Sequence, residues 1–438
     1  MRFFNFTLFF FLSVSTNVYS SALLTLEQAI SYAHRYNPEL KVAIAQSNET
    51  RGLFLQSKLY PNPSLSLLGE NLGVSKSNSG NNQNSSLGNS YNLQNLAENS
   101  AEPPQTTLTI AQPIPLGNRL KYLQNKTRAD YQSSIYAIKT QESNLYILVG
   151  LAFIDSLYAQ ELHRVSKKLT HLHAIIVEGA RKRLKAGAGS EMDFRLAEVK
   201  LAKAKLQERN AAGMIRLAQG QLERLIGLNI VKNRKLTDFG LKHFKFSWAL
   251  IEKKIPCSPW ITEKQQQLRT QRAAITSIQK NVWPDLIVTA GGRHFADNNA
   301  YAGVVGVSAS LPIFDRNQGK VIAGEAKYTQ IIHEMKGALL NLKQNLYENF
   351  LKAEQNYREF SEVKHKLLPL ARKAVSLGNK GYNQGRFTYT ELSNALFILY
   401  EEEQHYLTAY REYNKASIQI QGLLGLNSQG SKNGANCI

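Results

Sequence analysis

Apolar residues recur at three- and four-residue steps through two long stretches, 118–185 and 317–383, which hold no proline except Pro369 in the second. That period, in runs rich in Leu, Ala, Lys, Gln and Glu, predicts one very long helix in each. At 1.5 Å per residue such a helix is roughly 100 Å long, several times a globular-domain helix. Heptad positions recur inside both: Tyr158, Leu162, Val165, Leu169, Leu172 and Ile176 in the first, Leu346, Phe350, Ala353, Tyr357 and Phe360 in the second. Sustained spacing of about 3.5 residues predicts supercoiled packing of helix on helix.

Each long helix is followed by a partner. Gly187 and Gly189 interrupt the first, and Ser190-Glu-Met-Asp193 opens the next helix with a capping-box pattern; Gly385 and Thr388-Tyr-Thr-Glu391 repeat the plan in the second half. Both turns are tight, so both helix pairs are antiparallel hairpins. In the first partner, Phe194, Ala197, Leu201, Ala204, Ala211, Ile215, Ala218, Leu222 and Leu225 share one face. A shift of 198 residues converts that series into Leu392, Ala395, Leu399, Glu402, Ala409, Tyr413, Ala416, Ile420 and Leu423. One register over the whole length is the mark of structural duplication.

Ahead of each long helix the period changes from helical to alternating. A helix from 25 to about 59 is stopped by Pro61 and Pro63, and a strand pair follows within 64–112, its strands separated by a polar loop too poor in apolar residues to pack. The second half repeats this with a helix over 259–282, a breaker at Pro284 and a strand pair over 285–312. The chain thus divides into 1–20, a first repeat 21–228 with helices 118–185 and 190–226, a connector 229–258, a second repeat 259–426 with helices 317–383 and 388–424, and a tail 427–438.

Composition narrows the setting. Met1-Arg2 and the apolar run behind it have the form of a secretory signal, which predicts export of the mature chain. After it no run of about 18 apolar residues is seen, so any membrane crossing falls to strands. Net charge is +20, yet the lysines are spread over helix faces rather than clustered with aromatics, which argues against nucleic acid. Cys257 and Cys437 are too few for a disulfide framework. His171 and His173 are two apart on a helix and face different ways, so no metal site is expected. Gly291-Gly292 lacks the strand-to-helix context of a phosphate loop. No hydrolytic triad or paired-carboxylate site stands out, so neither an enzyme nor a cofactor is expected.

Four strands cannot close a barrel, and open edges in lipid would leave backbone groups unpaired. Threefold association would give a transmembrane barrel of about 12 strands. The expected fold is therefore mainly α with a small β part: duplicated helical hairpins forming an α-barrel, continued by the strands of a trimeric β-barrel.

At this point the residues resemble a known family, the TolC-like outer-membrane efflux channels. The resemblance rests on Leu24-Thr-Leu-Glu-Gln-Ala29 with Asn37-Pro-Glu-Leu40, on Pro61-Asn-Pro63, on the Gly187 and Gly385 turns and on the duplicated plan, and it covers nearly all of the mature chain. Pro61-Asn-Pro-Ser-Leu65 and Leu311-Pro-Ile-Phe-Asp-Arg-Asn-Gln-Gly319 are most similar to the heavy-metal, cobalt-zinc-cadmium branch. The resemblance implies a homotrimer in the outer membrane of a Gram-negative bacterium, extending into the periplasm. It also implies a periplasmic adaptor and an inner-membrane resistance-nodulation-division pump as partners, with outer-membrane lipid around the barrel and divalent metal cations as cargo.

In such channels the second hairpin narrows the inner entrance with a tyrosine before the turn glycine and acids six and nine positions after it. Here those positions hold Tyr382, Glu391 and Asn394, so one acid is replaced by an amide; the first-half equivalent of Glu391 is Asp193. A carboxylate repeated by threefold symmetry would favour cations. The competing role for each acid is that of a capping-box partner. The turn residues Gly187, Gly189, Ser190, Gly385 and Thr388 are the implied adaptor-docking tips. Two other readings remain at this stage: a duct of the same fold for drugs or polypeptides, and a periplasmic coiled-coil scaffold whose strands never meet lipid.

Overall fold

A computed structural model describes residues 23–72, 104–229, 235–237 and 247–426. The signal segment, most of the polar loop, parts of the connector and the tail with Cys437 lie outside the described residues. The first half runs α1 (Leu26–Tyr36), α2 (Pro38–Gln56), β1 (Ser64–Glu70), β2 (Gln105–Pro115), α3 (Arg119–Lys185) and α4 (Glu191–Ile226). The second runs α5 (Trp248–Lys254), α6 (Pro259–Lys280), β3 (Asp285–Phe295), β4 (Ala300–Ala309), α7 (Gln318–Glu362), a π-helical turn (Val363–Leu367), α8 (Leu368–Asn383) and α9 (Tyr389–Leu423). The described residues fall into two compact units, one drawn from Met1–Ala45, Tyr136–Glu263 and Met335–Ile438, the other from Gln46–Ile135 and Lys264–Glu334.

The elements depart from the expectations in three places. The single helix over 25–59 is two, because Pro38 forces the residue before it out of the helical region and Asn37 adopts an extended ψ of 125°. Asn37 is buried; its amide donates to Leu225 O at 2.8 Å and its Oδ1 accepts from Leu40 N–H at 3.0 Å, so it ends α1 and caps α2 together. The long helix over 317–383 widens at Val363–Leu367, just before Pro369, whose missing N–H removes one helical bond. Finally, α3 contains a window that is apolar and long enough by composition to cross a membrane, contrary to the expectation above. Since 61% of that window is buried within the chain, it is a core helix.

In the first unit the core is helix on helix. Ala33, Leu40, Val149, Phe153, Leu222 and Ile226 pack where α1, the start of α2, α3 and α4 meet, and the bridge Leu24↔Leu236 ties the connector to that end. The heptad residues Leu346, Ala353 and Phe360 of α7 are buried against Ala409, Tyr413 and Ile420 of α9. Here aromatics replace leucines: Phe360 meets the rings of Tyr406, Tyr410 and Tyr413 at centroid distances of 6.3, 5.6 and 5.3 Å. Such tilted and edge contacts add to plain area burial.

The second unit holds one four-stranded antiparallel sheet in the order β1-β2-β3-β4. Pairing runs Leu67↔Leu108, Leu108↔Gly292 and Val288↔Val307, so alternation gives the sheet two unlike faces. One carries Leu65, Leu67, Leu108, Ile110, Val305 and Val307, all exposed to solvent in the single chain. The other is polar: Ser66 and Thr109 share a hydrogen bond of 2.6 Å, and Arg293 donates to Thr107 Oγ1 at 3.1 Å and Gln105 Oε1 at 3.0 Å. Beneath the sheet, α2 meets α3 through hydroxyls, with Thr50–Ser134 at 2.9 Å and Ser57–Thr127 at 2.8 Å.

Candidate functional site

The two helical hairpins of the first unit end in turns built from the same backbone device. At the first, Gly187 has φ +71°, Gly187 N–H reaches Leu184 O and Ala188 N–H reaches Arg183 O. At the second, Gly385 has φ +73°, Gly385 N–H reaches Tyr382 O and Arg386 N–H reaches Gly381 O. A left-handed residue after the last helical turn lets those amides satisfy orphan carbonyls, and glycine adopts it without a Cβ penalty. Gly189 is also constrained, since a Cβ there would lie 2.9 Å from Leu184 N.

The two caps differ. Thr388 and Glu391 form a full capping box: Glu391 N–H donates to Thr388 Oγ1 at 3.3 Å, and the Glu391 carboxylate accepts from Thr388 N–H at 2.7 Å. The Thr388 hydroxyl also donates to the carboxylate, at 2.9 Å. At the first turn Ser190 Oγ accepts only from Met192 N–H, at 3.2 Å, and the capping box expected at Ser190–Asp193 is not formed. Aspartate is one methylene shorter than the glutamate or glutamine that normally reaches back to the cap N–H. Asp193 is therefore not held by its own cap.

The turns meet through a residue the sequence reading passed over. Arg183, in the last turn of α3, donates to Tyr382 O at 3.2 Å, and its guanidinium carbon lies 4.9 Å from the centre of the Tyr382 ring. Tyr382 is buried, packed with Ile176, Ala180, Phe194, Tyr389 and Leu392. Burial pushes the Tyr389 phenol above its usual range, with the charges of Tyr382 and Asp193 adding to the shift. Phe387 covers Gly381 so closely that a Cβ there would lie 2.1 Å from its ring.

Of the residues singled out by sequence, Tyr382 thus belongs to the contact between the two hairpins, Asp193 is half-buried in the first turn of α4, and Glu391 and Asn394 are exposed, three apart on one face of α9. The Thr388 backbone N–H, and then its hydroxyl, hold the Glu391 carboxyl below the usual glutamate range, so it is charged at neutral pH. Gly187, Gly189, Ser190, Gly385 and Thr388 are all exposed. The only sequence signal for Arg183 was its place among basic residues in the last turn of α3, where a cation complements the helix dipole. Nothing in that signal says the side chain crosses to the other hairpin. Among the described residues no group of three or more His, Cys, Asp and Glu could hold a metal ion.

Comparison with known proteins bears on the whole chain. The family profile described as "Outer membrane efflux protein" matches residues 29–228 and 250–426, one block in each half. The cobalt-zinc-cadmium resistance protein CzcC of Cupriavidus metallidurans is 24% identical over 408 residues, covering 92% of this chain and 90% of that protein. Among solved structures, CusC superposes with a TM-score of 0.71 at 16% identity, covering 91% of both chains. The CmeC outer membrane channel of Campylobacter jejuni gives a TM-score of 0.72 at 15% identity, covering 93% of this chain and 88% of that one.

Proposed function

Because the chain belongs to the outer membrane efflux protein family, we propose that it is the exit duct of a tripartite pump. It works as a homotrimer that passively conducts divalent heavy-metal cations outward. A periplasmic adaptor and an inner-membrane pump of the resistance-nodulation-division class hand the cations to it and supply the energy.

The observation that carries this reading is the two-faced sheet. Its exposed face of Leu, Ile and Val suits hydrocarbon, its other face of Ser, Thr, Gln and Arg suits water, and among the described residues the outer edges of β1 and β4 are unpaired. In lipid such edges must be paired, which association in a closed ring accomplishes. The heavy-metal cargo is supported by the name of the CzcC relative and by the charged, exposed Glu391, which threefold symmetry would repeat as a carboxylate ring. Tyr382, Glu391, Asn394 and Asp193 are read as the entrance, and the Gly187–Ser190 and Gly385–Thr388 turns as the tips that dock the adaptor. The division into two repeats about a connector at 229–258 belongs to the same reading.

Deleting the gene tests the cargo. The deletion strain is expected to become sensitive to cobalt, zinc or cadmium salts, with tolerance restored by the intact gene. Unchanged metal tolerance with lost antibiotic tolerance would assign the duct to drugs instead.

A further inference from the structure

Several cations with no part in the proposed duct converge on one cavity. It has a volume of about 710 Å³ and lies in the first unit, where α3, the π-helical turn, α8 and α9 meet residues 235–237 of the connector. That is the size of sites that take small organic molecules.

Local structure places its walls. Leu236 N–H donates to Gln160 Oε1 at 3.2 Å, Leu24 N–H to Lys235 O at 3.0 Å and Thr237 N–H to Leu24 O at 3.2 Å. These bonds lay the connector along α3 and set Lys235 at the cavity. From the π-helical turn and α8, Lys364, His365, Leu368 and Arg372 line it, spaced three and four apart on one side. Widened turns of this kind recur at functional sites.

The lining divides into an apolar floor and a charged rim. Ile154, Leu157 and Val165 of α3, with Leu368 and Leu407, are buried, and the rings of Tyr158, Tyr406 and Tyr410 are half-buried among them. Tyr406 and Tyr410 lie near-parallel, 5.9 Å apart with 17° between their planes, which suits a planar guest. The rim is cationic: Arg164, Lys235, Lys364, Arg372 and Arg411 line the cavity against two carboxylates, Glu161 and Glu403. Partners within the chain occupy only some of them. Glu161 holds Arg164 at 2.7 Å and Asp155 holds Arg411 at 2.7 Å. Glu403 is shared by Arg372 and Lys168, each at 3.9 Å, too long for a hydrogen bond to either. Lys235 and Lys364 are exposed and have no ion-pair partner among the described residues. Lys235, Lys364 and Arg372 are therefore available to a guest. A cavity of this kind repels metal cations and attracts a negative group carried on an apolar body.

We propose that this cavity binds an organic anion, a planar apolar molecule bearing a carboxylate. The carboxylate meets the Lys364 ammonium and the Arg372 guanidinium, Lys235 adds charge from the connector, and the body lies over Leu157, Leu407 and the tyrosine rings. Such a guest touches α3 and α9 together and so joins the two hairpins at a second level, away from Arg183. The site is complete within one chain and depends on neither the duct, the trimer nor the cargo.

Calorimetric titration of the full-length protein in lipid nanodiscs with 2-naphthoate, corrected for empty nanodiscs, tests this. Wild type is expected to bind it saturably, about tenfold or more tighter than the neutral analogue 2-naphthalenemethanol. Lys364→Glu combined with Arg372→Glu is expected to weaken binding about tenfold or more. Lys373→Glu, an exposed neighbour outside the lining, should leave it within about twofold. Melting temperature and native mass check that each variant folds; should the double variant fail to, Lys364→Gln is expected to weaken binding about threefold. Naphthoate that binds no better than the neutral analogue shows plain apolar partitioning, and an equal loss in Lys373→Glu shows diffuse charge. Either result overturns the site, as does the lack of saturable binding to the wild-type chain.

Discussion

The two hairpin turns share a backbone and differ in what locks them. Both place a left-handed glycine behind the outgoing helix, yet the second adds a reciprocal Thr388–Glu391 box and a ring of Phe387 over Gly381, where the first has a single Ser190 bond. The difference teaches that duplication preserves chain path more faithfully than side-chain chemistry. The first turn has fewer bonds of its own and is fastened to the second by Arg183.

The largest expected effect comes from Gly381→Ala, which forces a methyl into the Phe387 ring. It should destabilise the second hairpin by about 1–3 kcal/mol. Gly179→Ala, in α3 where a Cβ meets nothing within 4 Å, should instead be neutral or stabilising by roughly 0.5–1 kcal/mol. Hydrogen exchange resolved by hairpin separates the two, and equal losses would erase the contrast. Next is Arg183→Ala, which removes a hydrogen bond and a cation–ring contact and should loosen both tips by about 1–2 kcal/mol. Exchange that rises at the first tip alone would show that Arg183 does not link them.

Cap removal gives a smaller and graded difference. Thr388→Ala should cost about 1 kcal/mol and Ser190→Ala about 0.5 kcal/mol, read as amide protection in the first turns of α9 and α4. The smallest effect is in pH. Burial, with Lys200 beside it, depresses the His173 imidazole, so the unfolded chain binds more protons below its ordinary pKa of about 6.5 and the first hairpin weakens as pH falls through that value. His173→Gln should flatten the curve there. The Glu391 carboxyl is also depressed, but as an acid; its contribution is present above the unfolded glutamate pKa of about 4.3 and is lost only as pH falls through the lower folded value. Titrating the two hairpins by NMR should therefore show the first responding at higher pH than the second.

Much of this was legible in the sequence. Helix periods, both glycine turns and the strand pairs follow from local spacing, because burial of one face dictates it. The break at Asn37 was signalled by Pro38, but the reading let the apolar period run through it. The missed box at Ser190 was a matter of one methylene, below the resolution of a pattern. Arg183 could not be read at all: it is 199 residues from Tyr382, and sequence spacing carries no distance between separate hairpins. The two-faced sheet was half legible, since alternation shows in β1 and β2 but the glycine-rich β3 becomes two-faced only through its neighbours.

Planar-bilayer recording of purified trimers tests the central claim most directly. A duct predicts stepwise, cation-preferring conductance, with block by multivalent cations that weakens in Glu391→Ala. Silent bilayers from trimers whose mass and fold are verified would contradict it.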